Sequence, residues 1–441
     1  MVRIMAIGKS GRLDCIADSI FRSSHPKKLY ILSEVINPGL AEKSEEVMRG
    51  KTDDLSFVEV CARKVKPDFV VIGPEEPLAA GVVDMLRGLG IPCVGPTQSL
   101  ARLEWSKSFT RELLAKYNIS VNPEYRIFRT ADGLEAYLRE QGEFVVKPDG
   151  LTGGKGVKVY GEHLHSIEDA LRYCEELFGI GHPAVVIEEK LEGEEFSLQS
   201  FCDGQHVVDT IPVQDHKRAA DGDSGPNTGG MGSYSCQDHS LPFLSLEHIE
   251  QASRVNAAVA QALRQELGEV YKGILYGGFI LTKDGLKLLE YNGRFGDPEV
   301  MNVLPLLQTD FIDICEAIIN GTLDKLPVVF ERKATVCKYV VPQGYPTNPV
   351  KEKRIEGVPA SSDRLRVYYA AVNQQPDGIY LTGSRAVAFV GIGNTLEDAE
   401  VIAEDAASKV IGRVYHRKDI GTRGLIKQRL DHMRSIMENR K

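Results

Sequence analysis

The first residues with the types and spacing of a reactive site lie near position 290. Glu290 and Asn292 follow two leucines in the sequence LLEYNGRFGDPE, and Arg294 comes two residues later. Residues two apart on a strand point to the same face, so Glu290 and Asn292 should project together. A carboxylate and an amide oxygen suit a hard cation such as Mg²⁺, and Arg294 can clamp a carboxylate or a phosphate. An ordinary edge strand with polar surface residues is the alternative, and we favour the site.

A second group is the glycine-rich segment KPDGLTGGKGV at residues 147–157. Its glycines allow the backbone to approach a ligand and to point N–H groups at phosphate oxygens. Lys147 and Lys155 add positive charge for the same anion. The P-loop pattern is absent, because Lys155 is followed by glycine rather than by Ser or Thr. A hairpin turn that contains glycines is the alternative, so this segment alone leaves phosphate binding open.

A third group, VIEEKLEGEEFS at residues 186–197, joins an apolar strand to a dense acidic cluster. An adenine base needs an apolar slot with backbone hydrogen bonds, and a ribose needs a carboxylate acceptor. Taken in isolation, a solvated charged turn explains these residues better.

A fourth group is QDHKR at residues 214–218, followed by GPNTGGMG at residues 225–232. This mixture of acid, imidazole, cations and backbone donors can hold both a zwitterionic amino acid and a phosphate. His216 has the chemistry of a general base, but a lone histidine beside charges is more often structural. We therefore give that catalytic role little weight.

The elements that position these groups differ along the chain. Short apolar runs at residues 2–7, 28–32, 68–72 and 91–94 alternate with helical stretches and end in glycine turns, which predicts a parallel sheet with ligands at its carboxyl edge. We also predict one helix over residues 103–117 and a long loop over residues 222–232. Beyond about Leu326, β-rich segments and an amphipathic helix predict a separate small α/β domain.

Composition limits the function classes. The chain has 441 residues and a formal net charge of −9, without a run of Lys and Arg, which argues against nucleic acid as a partner. The eight cysteines are scattered and form no C-x-x-C pair, so we assign them neither a disulfide frame nor a zinc site nor any chemistry. No apolar stretch approaches the roughly 18 residues of a membrane helix. We predict a soluble cytoplasmic protein without a membrane partner.

Taken together, these segments resemble the phosphoribosylamine–glycine ligase (glycinamide ribonucleotide synthetase) family of the ATP-grasp superfamily. The resemblance rests on GPEEPLAAGVVD, GPTQSLARLEWSKSFTRELLAKYNI, KPDGLTGGKGV, QDHKR, GPNTGGMGSYS and EYNGRFGDPE, and on RKDIG at residues 417–421. It covers nearly the whole chain from about Asp68 onward.

The resemblance implies an α/β fold in three parts. An N-terminal parallel-sheet domain, of the Rossmann-like type that precedes ATP-grasp domains, is expected at residues 1–104. A two-lobed ATP-grasp domain is expected at residues 105–326, with a lid lobe at about 125–195. A small C-terminal α/β domain is expected at residues 327–441, folded back on the N-terminal one.

The resemblance also implies site residues, carried over by matching positions. The expected ATP-binding residues are Lys107, Lys147, Gly153, Gly154, Lys155, Gly156, Glu188, Glu189, Leu191 and Glu195. The expected Mg²⁺ or Mn²⁺ ligands are Glu290 and Asn292. The expected substrate-binding residues are Gly11, Arg12, Pro74, Glu75, Asp215, His216, Asn227, Thr228, Gly229, Gly230, Met231, Arg294 and Asp297. The residues expected to act in catalysis are Arg294, Asp215 and Lys217.

The implied reaction joins glycine to phosphoribosylamine in purine synthesis, with ATP cleaved to ADP and phosphate through a glycyl phosphate. It requires no cysteine or serine nucleophile, and we expect a monomer or a weak homodimer. The first glycine turn departs from the family pattern, because Leu13 and Asp14 replace a Glu-His pair. Two alternatives stay open: a ligase of the same scaffold with another amine acceptor, and a degenerate nucleotide-binding protein, which the retained Lys147, Lys155 and Glu290 disfavour.

Overall fold

Strands and helices alternate through the first hundred residues, as the sequence predicts. The computed structural model describes residues 1–151 and 156–438. The elements of this first part are β1 Val2–Ile7, α1 Gly11–Phe21, β2 Lys27–Ser33, α2 Pro38–Lys43, β3 Glu46–Arg49, α3 Leu55–Val65, β4 Phe69–Ile72, α4 Glu75–Ala79, α5 Val82–Gly88, β5 Cys93–Val94 and α6 Gln98–Trp105.

The first part forms a parallel sheet of order β3-β2-β1-β4-β5. The predicted parallel sheet is therefore confirmed. Its edge strand β3 was not predicted, because the four residues EVMR carry no apolar run. The ends of β1 and β4 meet where the Gly73 amide donates to the Ile7 carbonyl at 2.9 Å. The glycine turns that follow both strands consequently lie side by side at one edge of the sheet.

The single helix predicted over residues 103–117 is wrong. Ser106 has extended backbone angles, and its hydroxyl accepts the Phe109 amide at 3.3 Å, so it caps a new helix instead of continuing the old one. This new helix, α7 Lys107–Lys116, leads into the next sheet.

A small lobe spans residues 125–189 and has its own apolar core. It contains β6 Tyr125–Phe128, α8 Leu134–Glu140, β7 Phe144–Pro148, β8 Lys158–Val159, α9 Ile167–Gly179 and β9 Val185–Glu189. The antiparallel sheet has the order β6-β9-β7-β8, and both helices contribute to the core beneath it. Ser166 caps α9 by accepting the Asp169 amide at 3.0 Å. Residues 190–192 connect this lobe to the next.

A large lobe is built on two long antiparallel strands. Its elements are β10 Gly193–Asp203, β11 Val207–Asp209, β12 Gln214–Asp215, β13 Arg218–Ala220, β14 Ser224–Asn227, β15 Gly232–Ser235, α10 Leu246–Leu267, β16 Lys272–Thr282, β17 Gly285–Asn292, α11 Val300–Val303, a 3₁₀ turn Leu304–Leu306, α12 Phe311–Asn320 and a second 3₁₀ turn Leu323–Lys325. The central sheet has the order β11-β10-β16-β17. The predicted loop over residues 222–232 is partly wrong, because β13 and β14 pair as a hairpin.

The last part contains β18 Ala334–Pro342, β19 Arg354–Ile355, β20 Leu365–Tyr369, β21 Val372–Gln375, β22 Gly378–Leu381, β23 Val387–Gly393, α13 Leu396–Ser408, β24 Val414–Tyr415 and α14 Arg423–Glu438. One sheet of order β12-β15-β18-β23-β20 combines strands from the large lobe with strands of this part. The domain boundary near residue 326 stays a prediction. Within the described residues, no helix has the length and apolar character needed to cross a membrane.

The C-terminal part contacts the first sheet domain through a buried polar cluster. Asp14 in α1 is fully buried, forms an ion pair with Lys43 at 2.7 Å and accepts the Tyr369 amide at 2.7 Å. A side chain at position 39 would collide with this carboxylate, since a β-carbon there would lie 2.1 Å from an Asp14 oxygen. Gly39 therefore allows Asp14 to join α1, α2 and β20.

Candidate active site

A small recess opens in the large lobe where four strands approach one another. It is lined by Glu195, Phe196, Ser197, Asp215, Lys217, Tyr276, Gly278, Phe279, Leu289, Glu290 and Glu299. The lining comes from β10, β12, β16 and β17 and from the turns that follow β12 and β17. Three of the four groups singled out in the sequence therefore meet at one place.

Strand β17 presents Glu290 and Asn292 on one face. Glu290 pairs with Gly278 and Asn292 with Tyr276, while the register shifts beyond Gly278 so that Leu289 is an extra residue. Such a bulge re-aims side chains beside it. Glu290 is partly exposed, whereas Asn292 is buried and its amide oxygen accepts Arg294 Nη2 at 3.3 Å.

Positive charges surround Glu290. Partial desolvation in the recess opposes ionisation, but the charges of Lys217, Lys107 and Lys147 together lower the pKa of Glu290. The Glu290 carboxylate and the Asn292 amide offer only oxygen donors, which is the donor set that Mg²⁺ and Mn²⁺ prefer. The residues present therefore fit a hard divalent cation.

A buried triad of Arg111, Lys147 and Glu188 lies behind the extra residue of β17. Arg111 forms a bidentate pair with Glu188 at 2.7 and 3.0 Å, and Lys147 Nζ lies 2.7 Å from the same carboxylate. Both cations also donate to the Leu289 carbonyl, at 2.9 and 3.2 Å. Burial acts to raise the pKa of Glu188, but the charges of Arg111 and Lys147 lower it by more. The pKa is therefore below its ordinary value, and the carboxylate is ionised. The triad carries one excess positive charge.

The predicted adenine segment lies at the junction of the two lobes. The Glu189 amide donates to the Glu124 carbonyl at 2.9 Å, and the Glu189 carboxylate accepts the Glu124 amide at 2.7 Å. Leu191 is half-buried in the connection between β9 and β10. In the glycine-rich segment, the Gly156 carbonyl accepts the Tyr173 hydroxyl at 2.7 Å. The predicted residues Gly153, Gly154 and Lys155 lie outside the described residues.

Four carboxylates and one ammonium group form what we call the acidic floor: Glu195, Asp215, Glu290, Glu299 and Lys217. Lys217 Nζ lies 2.7 Å from Glu195, and that charge, followed by Glu290, raises the pKa of Lys217. Burial and the neighbouring Glu299 raise the pKa of Asp215 well above its usual range. The floor is therefore short of positive charge and suited to a cationic ligand.

His216 does not face the recess. Its ring is 1% exposed and packs against Tyr234 at 5.8 Å, and no described residue gives either ring nitrogen a hydrogen-bond partner. Burial and the charges of Arg429 and Arg417 lower its pKa to about 3, so the ring is neutral. This environment is that of a buried structural histidine.

Arg294 is held between two carboxylates at the junction with the first sheet domain. Its guanidinium lies 3.0 Å from Glu104 and 3.3 Å from Glu75. Burial acts to raise the pKa of Glu75, but the charges of Arg294 and Arg12 lower that pKa to about 2. Burial and the Glu75 charge raise the pKa of Glu104 to about 7, against the opposing effect of Arg294. Pro74, the residue before Glu75, is buried.

Arg12 is also fixed at this junction. Its guanidinium donates to the Gly73 carbonyl at 2.8 Å and lies 3.5 Å from Glu75, and it is 8% exposed. Gly11 before it is buried at the start of α1. The neighbouring Leu13 is a fully buried core residue. Leu13 and Asp14, which replace the family's Glu-His pair, therefore point into the protein interior.

The loop after the hairpin is tied to Arg385. This guanidinium donates to the carbonyls of Gly229 and Gly230 at 2.6 and 3.1 Å and lies 3.2 Å from Asp297. Gly230 has φ +106°, and a β-carbon there would lie 2.7 Å from Asp215 Oδ1, so only glycine fits. Asp297 also accepts the Tyr339 hydroxyl at 2.8 Å.

The remaining residues of this loop differ in exposure. Asn227 is exposed, Thr228 is half-buried, and Met231 is fully buried, with its amide bonded to the His216 carbonyl at 2.8 Å. Thr228 donates its amide and its hydroxyl to the Lys217 carbonyl, at 2.7 and 2.8 Å. The loop is thereby fixed to the strand that carries Asp215.

Sequence reasoning missed four charged residues of this region: Arg111, Glu104, Glu299 and Arg385. Of these four residues, Glu299 was the easiest to predict, because it lies in the same sequence motif as Glu290. The other three lie in a helix or in another part of the chain, and no local pattern links them to the recess.

Comparisons with known proteins agree across the whole chain. Three models of the phosphoribosylglycinamide synthetase family match: the N domain at residues 2–104, the ATP-grasp (A) domain at residues 105–300 and the C domain at residues 335–423. The phosphoribosylamine–glycine ligase of Methanocaldococcus jannaschii is 49% identical over 449 aligned positions, and the alignment covers 99% of this chain and 100% of that protein. The ligase of Methanocella arvoryzae is 45% identical over 435 residues, with the same coverage.

Solved structures show the same architecture. The crystal structure of phosphoribosylamine–glycine ligase from Thermotoga maritima has a TM-score of 0.81 and 26% identity, and covers 95% of this chain and 100% of its own. A biotin carboxylase from Campylobacter jejuni has a TM-score of 0.73 at 13% identity, covering 100% of this chain and 96% of its own, which speaks for the fold alone. The predicted α/β fold is confirmed, and the chain belongs to the phosphoribosylglycinamide synthetase family of ATP-grasp enzymes.

Proposed function

We propose that this enzyme joins glycine to 5-phosphoribosylamine, giving glycinamide ribonucleotide, ADP and phosphate in purine biosynthesis. The proposal is supported by family membership and by the names of relatives that match over 99% of the chain. The structural observation that carries it is the pairing of an acidic floor with a buried triad of excess positive charge. Such a pairing is complementary to an ammonium group and a metal ion on one side and to polyphosphate on the other.

Asp215 and Glu299, two carboxylates of the acidic floor, are the proposed glycine site. They have no described cation at ion-pair distance, and the Glu299 charge raises the cost of ionising Asp215. A bound ammonium group removes that cost, so the pair favours an amino acid over a neutral molecule. The side chains that line the recess also limit the size of the ligand.

The opposite side is the proposed ATP site. We assign Lys107, Lys147 and the glycine-rich sequence at residues 153–156 to the phosphates. The connection between the lobes at Glu189 and Leu191 is assigned to the base, with Glu188 holding Lys147 rather than touching the base through its side chain. Glu195 is assigned to the ribose. These assignments rest on position and charge.

Glu290 and Asn292 are the proposed ligands of Mg²⁺ or Mn²⁺. When bound, the ion neutralises charge on the phosphoryl group that is transferred. The protein residues fix the reacting atoms: Lys107 and Lys147 orient the phosphates, and Asp215 and Glu299 hold the glycine ammonium. Arg294, held by Glu75 and Glu104, is proposed to face the developing acyl phosphate.

The reaction then proceeds in two displacements. A glycine carboxylate oxygen forms a bond to the γ-phosphorus of ATP, and the bond to the ADP oxygen breaks. The amine nitrogen of phosphoribosylamine next forms a bond to the glycyl carbonyl carbon, phosphate leaves, and the amine loses a proton. The protein positions and shields these groups, and Lys217 is proposed to offset charge in the first step.

The amine acceptor is proposed to bind where the first sheet domain meets the large lobe. Gly11, Arg12, Pro74 and Glu75 line one side in this proposal, and the loop at residues 227–231 and Asp297 line the other. Leu13 and Asp14 were the reason to consider a different amine. Both side chains are fully buried, and Asp14 is bound by Lys43 and the Tyr369 amide, so neither is available to contact an amine acceptor.

We propose the domain limits 1–104, 105–326 and 327–441, with a lid over residues 125–195. We also propose a cytoplasmic monomer or weak homodimer that acts on small molecules, without nucleic acid or membrane. The net charge of −9 supports the exclusion of nucleic acid.

The test is an ADP-release assay with Mg²⁺, glycine and freshly generated phosphoribosylamine, in which each component is omitted in turn. Mass spectrometry of the product should detect glycinamide ribonucleotide only in the complete mixture. ADP release with another amine and none with phosphoribosylamine would overturn the proposed acceptor. ATP binding without ADP release under any condition would favour a degenerate binding protein.

A further inference from the structure

The C-terminal helix α14 lies almost wholly beyond the region that the family model matches. The C-domain match ends at residue 423, where α14 begins. Met433 and Ile436 on this helix are buried in the same apolar core as residues of β10 and α10. The helix is therefore packed against the large lobe rather than extending from it.

Arg429 of α14 connects two separate elements of the large lobe. One guanidinium nitrogen donates to Asp223 at the tip of the hairpin β13–β14, and Nε lies 3.4 Å from Glu194 in β10. Glu194 is 3% exposed and also contacts His432 at 2.7 Å and Gln214 at 3.0 Å. The carboxylate next in sequence to Glu195 is thus held by the helix.

The hairpin tip has a second anchor in residues 417–419. Arg417 Nη1 donates to Asp223 at 2.9 Å, and the Lys418 amide donates to Asp221 at 2.9 Å. In return the Gly222 amide donates to Asp419 at 2.9 Å. Two C-terminal segments therefore hold the tip, and each of them contacts Asp223.

The base of the same hairpin belongs to the proposed site. Lys217 precedes β13 and carries the ion pair with Glu195, while Thr228 follows β14 and bonds to the Lys217 carbonyl. Between them, Arg218 forms an ion pair with Glu162 of the small lobe. A displacement of the tip is consequently transmitted to both ends of the hairpin and to the contact with the small lobe.

We propose that Arg429 is a positioning residue for the glycine side of the site. By holding Asp223 and Glu194 together, it fixes the hairpin and β10 relative to each other, and so fixes Lys217 against Glu195. None of its contacts among the described residues involves Lys107 or Lys147. Its loss should therefore raise the KM for glycine more than the KM for ATP, which depends on this contact only through Glu195, the residue proposed for the ribose. The kinetic part of this inference rests on the proposed function.

The test compares Arg429→Met with Arg434→Met, a matched control on the same helix. Arg434 is exposed and pairs only with exposed Asp431 among the described residues. For Arg429→Met we expect the KM for glycine to rise about tenfold, because a small misplacement of binding groups is costly. The KM for ATP should rise less than the KM for glycine, because only Glu195 links ATP to this contact, and Arg429→Lys should recover part of the loss because it keeps the charge.

Hydrogen–deuterium exchange provides a readout that needs no turnover. Peptides covering residues 215–231 should exchange faster in Arg429→Met than in the wild type and in Arg434→Met. Unchanged exchange there would overturn the positioning role even if glycine is not the substrate. Faster exchange without any glycine-dependent turnover in the wild type would instead overturn the proposed function. A uniform loss of active enzyme, with both KM values unchanged, would show a role in stability alone and overturn the inference.

Discussion

The buried triad and the acidic floor occupy neighbouring positions but balance charge in opposite ways. In the triad, two cations share Glu188, and each also has a carbonyl acceptor at Leu289. In the floor, four carboxylates lie around one ammonium group, Lys217, which forms its ion pair with Glu195. A buried cluster in which every charged group has a hydrogen-bond partner fixes geometry. An excess of carboxylates at a solvent-accessible recess instead favours a ligand of positive charge.

This difference separates residues that fix the geometry of the site from residues that are proposed to bind a ligand. Glu188 and the Leu289 carbonyl already fix the ammonium group of Lys147, which is proposed to bind the ATP phosphates. Asp215 and Glu299 have no cationic partner at ion-pair distance among the described residues. Substitutions in the triad should therefore reduce stability, and substitutions in the floor should reduce activity.

The largest effect is expected for Glu290→Gln. Loss of the charge of this proposed metal ligand should lower kcat/KM about 10³-fold, since metal-ion stabilisation is worth several kcal/mol. Thermal unfolding should stay close to the wild type, because Glu290 is partly exposed in the recess. Glu192→Gln, at a side chain that is 79% exposed, is the control. Near-normal steady-state activity of the Glu290 variant would remove the metal assignment.

Glu188→Gln should have the opposite signature. Two buried cations lose their shared counter-charge, which should lower the free energy of unfolding by about 3 kcal/mol. The KM for ATP should also rise, because Lys147 loses its anchor. Glu143→Gln breaks an exposed pair with Lys190 in the same lobe and should change stability by less than about 0.5 kcal/mol. Urea denaturation of both variants measures the difference, and equal midpoints would contradict the role assigned to the triad.

The sequence predicted some residues of the triad and the acidic floor and missed others. Glu290 and Asn292 were predictable because strand periodicity places residues two apart on one face. The pairing of Glu188 with Arg111 was not, because the two residues are 77 positions apart and only the docking of α7 on the small lobe joins them. Glu188 was therefore assigned to an adenine slot from its neighbours in sequence, and that assignment stays a prediction.

Local sequence pattern was limited in the same way at the contact between the first sheet domain and the C-terminal part. Local pattern predicted the parallel sheet, since β1, β4 and β5 are apolar runs that end before a glycine. It gave no reason for Asp14 to be buried, because Lys43, Gly39 and Tyr369 come from three separate elements. A polar residue in a glycine turn is indistinguishable in sequence from a ligand-binding one until its tertiary partners are known.

Glu299→Gln tests the acidic floor with a smaller expected effect. The substitution keeps an acceptor for the Tyr276 hydroxyl, which lies 2.7 Å from Glu299, but removes the negative charge. The KM for glycine should rise about 10- to 100-fold, as expected for a charged hydrogen bond of 1.5–3 kcal/mol. The KM for ATP should stay within about twofold, as should both constants in the exposed control Glu247→Gln. An equal rise of both KM values would place Glu299 outside the glycine site.

Asp14→Asn should have the smallest effect and should separate domain contact from ligand binding. Burial raises the pKa of Asp14 to about 6, with Lys43 opposing, from an ordinary value of 3.8. Because the folded pKa is raised, the stability that this group contributes is fully present below pH 3.8 and is lost as the pH rises through 6. Between pH 5 and 7, the wild type should lose about 1 kcal/mol relative to the variant.

Denaturation of both proteins at several pH values measures this loss, and the KM for glycine at pH 7 supplies the contrast. That constant should be unchanged in Asp14→Asn, because the carboxylate is buried with Lys43 and the Tyr369 amide and does not line the recess. A raised KM for glycine or for phosphoribosylamine without a change in the pH dependence of stability would assign Asp14 to the site. The first glycine turn would then regain its place as a reason to doubt the amine acceptor.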